Sequence, residues 1–92
     1  MRESKIESDV TDYAKSLGWV CFKFMSSTSG VPDRVYIRKG VVLFVEFKAT
    51  GKKPRKLQIY VINKMIKAGA NVHVIDSIEK GKELFDAHQK RP

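Results

Sequence analysis

One short stretch constrains this chain more than any other: Val41 to Phe47 reads VVLFVEF, apolar at both alternating parities except for a single glutamate. Bounded by Lys39-Gly40 on one side and Lys48 on the other, it is predicted to be a strand covered on both faces, the centre of a sheet flanked by helices. The run before it, Asp33 to Arg38, is also β-rich, and only Lys39-Gly40 separates the two, the length of a tight hairpin turn. That turn fixes a register in which Arg38 opposes Val41, Val35 opposes Phe44, and Asp33 opposes Glu46.

The flanking segments supply the rest of an α/β domain. From Ser4 to Leu17 the residues Ile6, Val10, Tyr13, Ala14 and Leu17 share a helical face, and Gly18 stands where a left-handed cap would end the helix. Trp19 to Phe24 alternates as a strand, with Val20, Phe22 and Phe24 on one side, and a Ser/Gly/Pro loop runs from Met25 to Pro32. After a basic loop from Ala49 to Lys53, Pro54 opens a second helix whose stripe is Leu57, Val61, Met65 and Ala68 and whose end is Gly69. Ala70 to Asp76 is a strand reached by a crossover helix and so parallel to the central strand, and a last helix spans Ser77 to Gln89, with Asp76 and Glu79 at capping-box spacing. The predicted order is αβββαβα, a mixed sheet flanked by helices. With no repeat, linker or low-complexity tract in 92 residues, a single domain over 1–92 is expected.

Charge narrows the partner. Eighteen Lys and Arg against ten Asp and Glu give +8 at pH 7, a balance that favours a polyanion. No acid occurs from Phe47 to Ile75, where Lys48, Lys52, Lys53, Arg55, Lys56, Lys64 and Lys67 concentrate the positive charge. The single cysteine, Cys21, excludes an internal disulfide framework and paired-cysteine zinc fingers. No apolar run approaches the roughly 20 residues that span a bilayer, and the N-terminus MRESKIESD is polar, so a cytoplasmic, nucleoid-associated protein without a membrane partner is expected.

Two carboxylates directly opposite each other in a hairpin, with Cβ atoms about 4.5–5.5 Å apart, destabilise a sheet unless a cation joins them. Asp33 and Glu46 are such a pair, and oxygen ligands at that distance suit Mg²⁺ or Mn²⁺. Lys48, two residues past Glu46, returns to the same face. Such a trio fits phosphodiester hydrolysis: a metal generates hydroxide and neutralises phosphoryl charge, while the ammonium stabilises a developing anion or orients the water. The plainer alternative has Asp33 capping a turn, Glu46 facing solvent and Lys48 pairing with one of them.

Gly30-Val31-Pro32-Asp33 followed by Glu46-Phe47-Lys48, in the order αβββαβ, resembles the PD-(D/E)XK nuclease superfamily, with its restriction-endonuclease-like core, and the short GVPD form is similar to its virus-type replication-repair (VRR-NUC) branch. The likeness covers about Glu3 to Asp76 and leaves the last helix as an addition. It implies that Asp33, Glu46 and the carbonyl of Phe47 hold a divalent metal, Mg²⁺ or Mn²⁺, and that Lys48 assists hydrolysis. It also implies a role at the metal for Glu7, although Ser4 and Glu7 have capping-box spacing too, and a place over the site for Gln58. Stand-alone members of this branch resemble Holliday-junction resolvases, so the likeness implies branched DNA, above all a four-way junction, cut by a homodimer whose two-fold axis matches that of the junction, in a bacterial or phage-infected cell. Lys52, Lys53, Arg55 and Lys56, with Ser29 and Arg34, are the expected DNA contacts.

Rival readings are weaker. Thr50-Gly51-Lys52 lacks the first glycine and the Ser or Thr of a phosphate-binding loop, so no nucleotide cofactor is expected. His73 and His88 are too far apart for a zinc motif, and Trp19 and Tyr60 read as core rather than as base-stacking rings. The loop Ser26 to Ser29 suits either a phosphate or simple flexibility. The same site with a flap- or nick-directed specificity, and a non-catalytic basic nucleic-acid-binding module, remain as alternatives; the second leaves the acid pair unexplained.

Overall fold

In the computed structural model residues 1–89 are described, in the order α1 (Glu3–Ser16), β1 (Val20–Lys23), β2 (Arg34–Arg38), β3 (Val41–Phe47), α2 (Lys56–Lys67), β4 (Val72–Ile75) and α3 (Ile78–Gln89). The strands form one mixed sheet in the order β1-β2-β3-β4, antiparallel except for the parallel pair β3/β4. The hairpin register is the expected one, with Arg38 opposite Val41 and Val35 opposite Phe44. Lys39 and Gly40 have φ values of 48° and 81°, and two positive central φ values are what a tight turn matching the twist of its strands requires.

One face of the sheet carries the core. Tyr36, Leu43, Val45, Phe47 and Ile75 point to α1 and α3 and pack with Ile6, Val10, Ala14, Trp19 and Phe85. Trp19 and Tyr36 both meet Phe85 edge-on, with ring centroids 5.2 and 4.9 Å away, so α3 completes the core rather than decorating it. Helix α3 starts one residue later than a cap at Asp76 would place it: Ser77 Oγ accepts the Lys80 N–H at 3.0 Å, and Asp76 instead takes Lys80 Nζ and the Gly51 N–H. Helix α1 begins at Glu3 with Arg2 as its cap residue, so Ser4 and Glu7 do not form a capping box. No described helix is long and apolar enough to cross a membrane.

The other face departs from the expectation of full cover. Of the helices only α2 lies there, against β4 and reaching Glu46 at the end of β3 through Gln58, and Val20, Phe22, Ile37, Val42 and Val74 stay exposed. The double parity of VVLFVEF therefore marks one buried face and one face that is covered only toward its end, with Val42 exposed, Phe44 partly covered by Phe24 and Glu46 buried. Helix α2 is also rotated from its apolar stripe. It buries Gln58, Val61 and Ile62, while Leu57 is 52% exposed, because the buried carboxylate of Glu46 takes a donor from the helix and Gln58 supplies it.

Helices α1 and α3 touch through Gly81. A Cβ there would lie 2.4 Å from Val10 Cγ2, closer than packed atoms can approach. Gly81→Ala is expected to cost about 1–3 kcal/mol of stability, as overpacking does, and Val10→Ala in the same chain should cost less than its effect alone. Urea unfolding of the two single variants and the double variant measures this; simple additivity would mean that the helices do not meet there.

Candidate active site

The site gathers where β2 begins and β3 ends, at one end of the two central strands, with α1 and α2 on either side. Asp33 lies one step before β2, on the register that sets it opposite Glu46, and its main-chain oxygen still accepts the Phe24 N–H at 2.9 Å. Its Oδ2 accepts the Phe47 N–H at 2.8 Å, which ties the aspartate across the hairpin to the residue after Glu46. Gly30 sets this loop in place: its φ is +89°, and a Cβ would come within 3.1 Å of Leu57 O and Val61 Cγ2, so glycine meets both the backbone and the packing demand.

Glu46 is 2% exposed. Two donors reach the same oxygen, Oε2: Gln58 Nε2 at 2.8 Å and Lys48 Nζ at 3.2 Å. Gln58 in turn accepts the Arg55 N–H with its Oε1 at 2.9 Å, capping α2 and fixing the amide so that its NH₂ faces Glu46. The other carboxylate oxygen, Glu46 Oε1, is buried without a hydrogen-bond partner. Burial and then the charge of Asp33 push the Glu46 carboxyl up to about 7, against the pull of Lys48. Asp33 is also raised, chiefly by burial, with the Phe47 N–H opposing and the Glu7 charge adding to the rise.

The residues fit a divalent cation. A buried carboxylate oxygen left unpaired is costly, and a cation held by Asp33 and Glu46 would satisfy it and relieve the repulsion of the pair. Among the described residues no group of three or more His, Cys, Asp or Glu side chains is arranged for a metal. An ion here would rely on two carboxylates, main chain and water, the hard donors that suit Mg²⁺ or Mn²⁺ rather than zinc.

Glu7 and Arg34 are arranged differently from the sequence expectation. Glu7 Oε2 takes the Arg34 Nε–H at 2.6 Å in a largely buried ion pair, and Arg34 Nη1 lies 3.4 Å from Cys21 Sγ. The guanidinium expected to meet DNA is thus directed at the carboxylate expected to meet metal, because Arg34 projects from the α1 face of β2. Glu7 still lines the cleft that holds Asp33, whereas Arg34 lines a separate cleft along α1 with Ser8, Thr11 and Lys15. Lys52, Lys53, Arg55, Lys56 and Ser29 are exposed, and the basic loop is braced by Thr50 N–H on Met1 O at 3.1 Å and Gly51 N–H on Asp76 Oδ2 at 3.2 Å.

Two residues not singled out in the sequence join the cleft, Glu3 and Lys23. The charge of Glu3 raises Glu46, and that of Lys23 lowers Asp33. Glu3 is one helical turn before Glu7, a spacing legible in the sequence; Lys23 reaches the site only through its pairing opposite Arg34.

No family model matches the chain. It is 37% identical over 79 residues to "Putative nuclease p44" of Acyrthosiphon pisum secondary endosymbiont phage 1, covering 84% of this chain and 85% of that protein. Among solved structures it is similar to one described as "VRR_NUC domain", with a TM-score of 0.84, 29% identity, and 91% and 94% of the two chains covered. The fold, the GVPD and EFK segments facing each other across the hairpin, and relatives that match over nearly their whole length agree: the chain belongs to the VRR-NUC family of nucleases.

Proposed function

We propose that the protein is a divalent-metal-dependent, structure-selective DNA endonuclease that resolves four-way junctions as a homodimer in the cytoplasm of a bacterial or phage-infected cell. The observation that carries the hydrolytic reading is the Asp33/Glu46 pair, with Glu46 buried, its Oε1 unpartnered and Lys48 Nζ 3.2 Å from Oε2. Bound at these carboxylates, Mg²⁺ or Mn²⁺ supplies Lewis acidity toward a phosphoryl oxygen and a lowered pKa for its water. The chain does the rest. Phe47 N–H holds the Asp33 carboxylate, Gln58 fixes the orientation of Glu46, and Lys48 places an ammonium where negative charge grows on the phosphate. The exposed lysines and arginine of residues 52–56 draw in the DNA backbone without reading sequence.

The homodimer rests on the open apolar face. Val20, Ile37 and Val42 lie in one row across β1, β2 and β3 with Phe22 two residues along β1, an exposed apolar patch, and a second copy meeting it about a two-fold axis would present two equivalent sites to a symmetric junction. Cleavage of labelled four-way junction, 5′ flap, single-stranded and duplex DNA in Mg²⁺, Mn²⁺ or EDTA, with Lys48→Ala in parallel, tests the proposal. Paired symmetric cuts in the junction, needing metal and lost in the variant, are expected. Cuts confined to flaps or nicks would remove the junction reading. Salt-sensitive binding without cleavage in either metal would leave a non-catalytic nucleic-acid-binding module.

A further inference from the structure

Beside the carboxylate cleft lies a second cavity of about 360 Å³, between the loop after β1 and the outer face of α2. Its size falls in the range of about 300–1,000 Å³ usual for ligand clefts. Phe24 and Val31 are walls of both cavities, so the second lies directly beside the one that holds Asp33. Its far wall is α2, where Tyr60 is 61% exposed and Lys64 Nζ stands 5.7 Å from the centre of the Tyr60 ring. Ser26 and Thr28 add hydroxyls, and no carboxylate lines it.

Tyr60 corrects the expectation of a core ring. An aromatic left in solvent with an ammonium at its face is the arrangement on which a nucleobase stacks while its phosphate meets the cation. Two parts of the walls are held before any ligand arrives. The Phe24 ring packs edge-on against Phe44 with centroids 5.1 Å apart, and Gly30 sets the loop so closely on α2 that a Cβ would press on Leu57 and Val61. On that side the cavity loses little entropy on binding, and the ordering cost falls on Tyr60 and Lys64.

We infer that this groove is a subsite for one unpaired nucleotide of the DNA substrate, its base against Tyr60 and Phe24 and its phosphate at Lys64, next to the phosphodiester at the carboxylates. The occupant is an unpaired base because a base inside a duplex has both faces stacked and cannot reach a ring. Charge selects the same partner: the cationic wall suits a phosphate. The inference deepens the nuclease reading by supplying a source of structure selectivity, since flaps and gaps expose such a nucleotide beside the bond to be cut, and a four-way junction, fully paired when closed, exposes one when a base pair opens at its crossover. Apart from the hydroxyls of Ser26, Thr28 and Tyr60 and the Lys64 ammonium the lining side chains are apolar, so base identity should matter little.

The test is binding in EDTA, where no cleavage occurs, of a gapped duplex carrying 2-aminopurine in its unpaired stretch, against the same duplex fully paired. For the wild-type protein the 2-aminopurine emission should be quenched on binding. Tyr60→Ala should abolish the quenching and weaken binding of the gapped DNA about tenfold with little change for the paired duplex, while Tyr60→Phe keeps both. Lys64→Ala should weaken the gapped complex with a smaller change in quenching. Equal losses on gapped and paired DNA, or no loss in Tyr60→Ala, would overturn the subsite. So would a change in the mass of free Tyr60→Ala by light scattering without a change in quenching, which would make this helix face a contact between copies. Failure of the nuclease reading shows up separately, as wild-type protein that binds and quenches but does not cut in Mg²⁺ or Mn²⁺.

Discussion

Asp33→Asn is expected to lower the cleavage rate by at least roughly 10²–10³-fold while leaving the metal-free protein folded and somewhat more stable at neutral pH. Both halves follow from the geometry. The amide oxygen of asparagine can still accept the Phe47 N–H that Asp33 Oδ2 now accepts at 2.8 Å, so the hairpin keeps its tie. What disappears is a charge. After burial, the charge of Asp33 is the largest cause of the raised pKa of Glu46, so its removal relieves a repulsion and lets Glu46 ionise at lower pH. A cation then has one carboxylate instead of two. Initial cleavage rates in Mg²⁺ and thermal melts in EDTA measure the two effects. A variant that cuts within a few-fold of wild type would remove Asp33 from the site, and one that unfolds would make its carboxylate structural.

In EDTA, the wild-type protein should lose stability as pH rises from about 4.5 toward 7, and Glu46→Gln should lose less. The Glu46 carboxyl rises from 4.5, its ordinary value, to about 7 in the folded chain. Between those values the unfolded chain has released the proton and the folded chain has kept it, so raising the pH favours unfolding. Below about 4.5 both states are protonated and the contribution is fully present; it is lost as pH climbs through 7. At about 1.36 kcal/mol per unit the shift corresponds to roughly 3 kcal/mol, and the rise of Asp33 acts in the same direction. Urea midpoints of wild type and Glu46→Gln, compared between about pH 5 and pH 8, isolate this part from the remaining charges. Millimolar Mg²⁺ should offset the fall in wild type and leave Glu46→Gln largely unmoved, because a ligand that binds only the folded state stabilises it. Parallel pH curves for the two proteins, with no response to metal, would mean that the carboxylates are neither crowded nor poised for a cation.

Much of this arrangement was legible because its causes are local. Lys39-Gly40 forces positive φ at two successive residues, and that single turn carries the register that opposes Asp33 to Glu46 and the period that returns Lys48 to the face of Glu46. The order αβββαβα and the parallel β4 followed from apolar periods, turn residues and the geometry of a crossover. The rotation of α2 did not. Leu57, Val61, Met65 and Ala68 form an apolar stripe on that helix, yet the helix turned Gln58 inward and left Leu57 half exposed. Hydrophobic period ranks faces by transfer free energy, and it cannot see an ionisable oxygen on another strand whose burial requires a donor.

By itself, then, the sequence determined the sheet, its register and the acid-acid-lysine trio, since each depends on neighbours within one turn or one hairpin. Only the tertiary structure decided that Glu7 is paired with Arg34, that Glu3 and Lys23 border the cleft, that Tyr60 stands in solvent beside it, and that one sheet face remains open. Those outcomes depend on which residues far apart in the chain compete for the same buried charge or apolar cover, and that competition is settled when helices dock on the sheet, not along the chain.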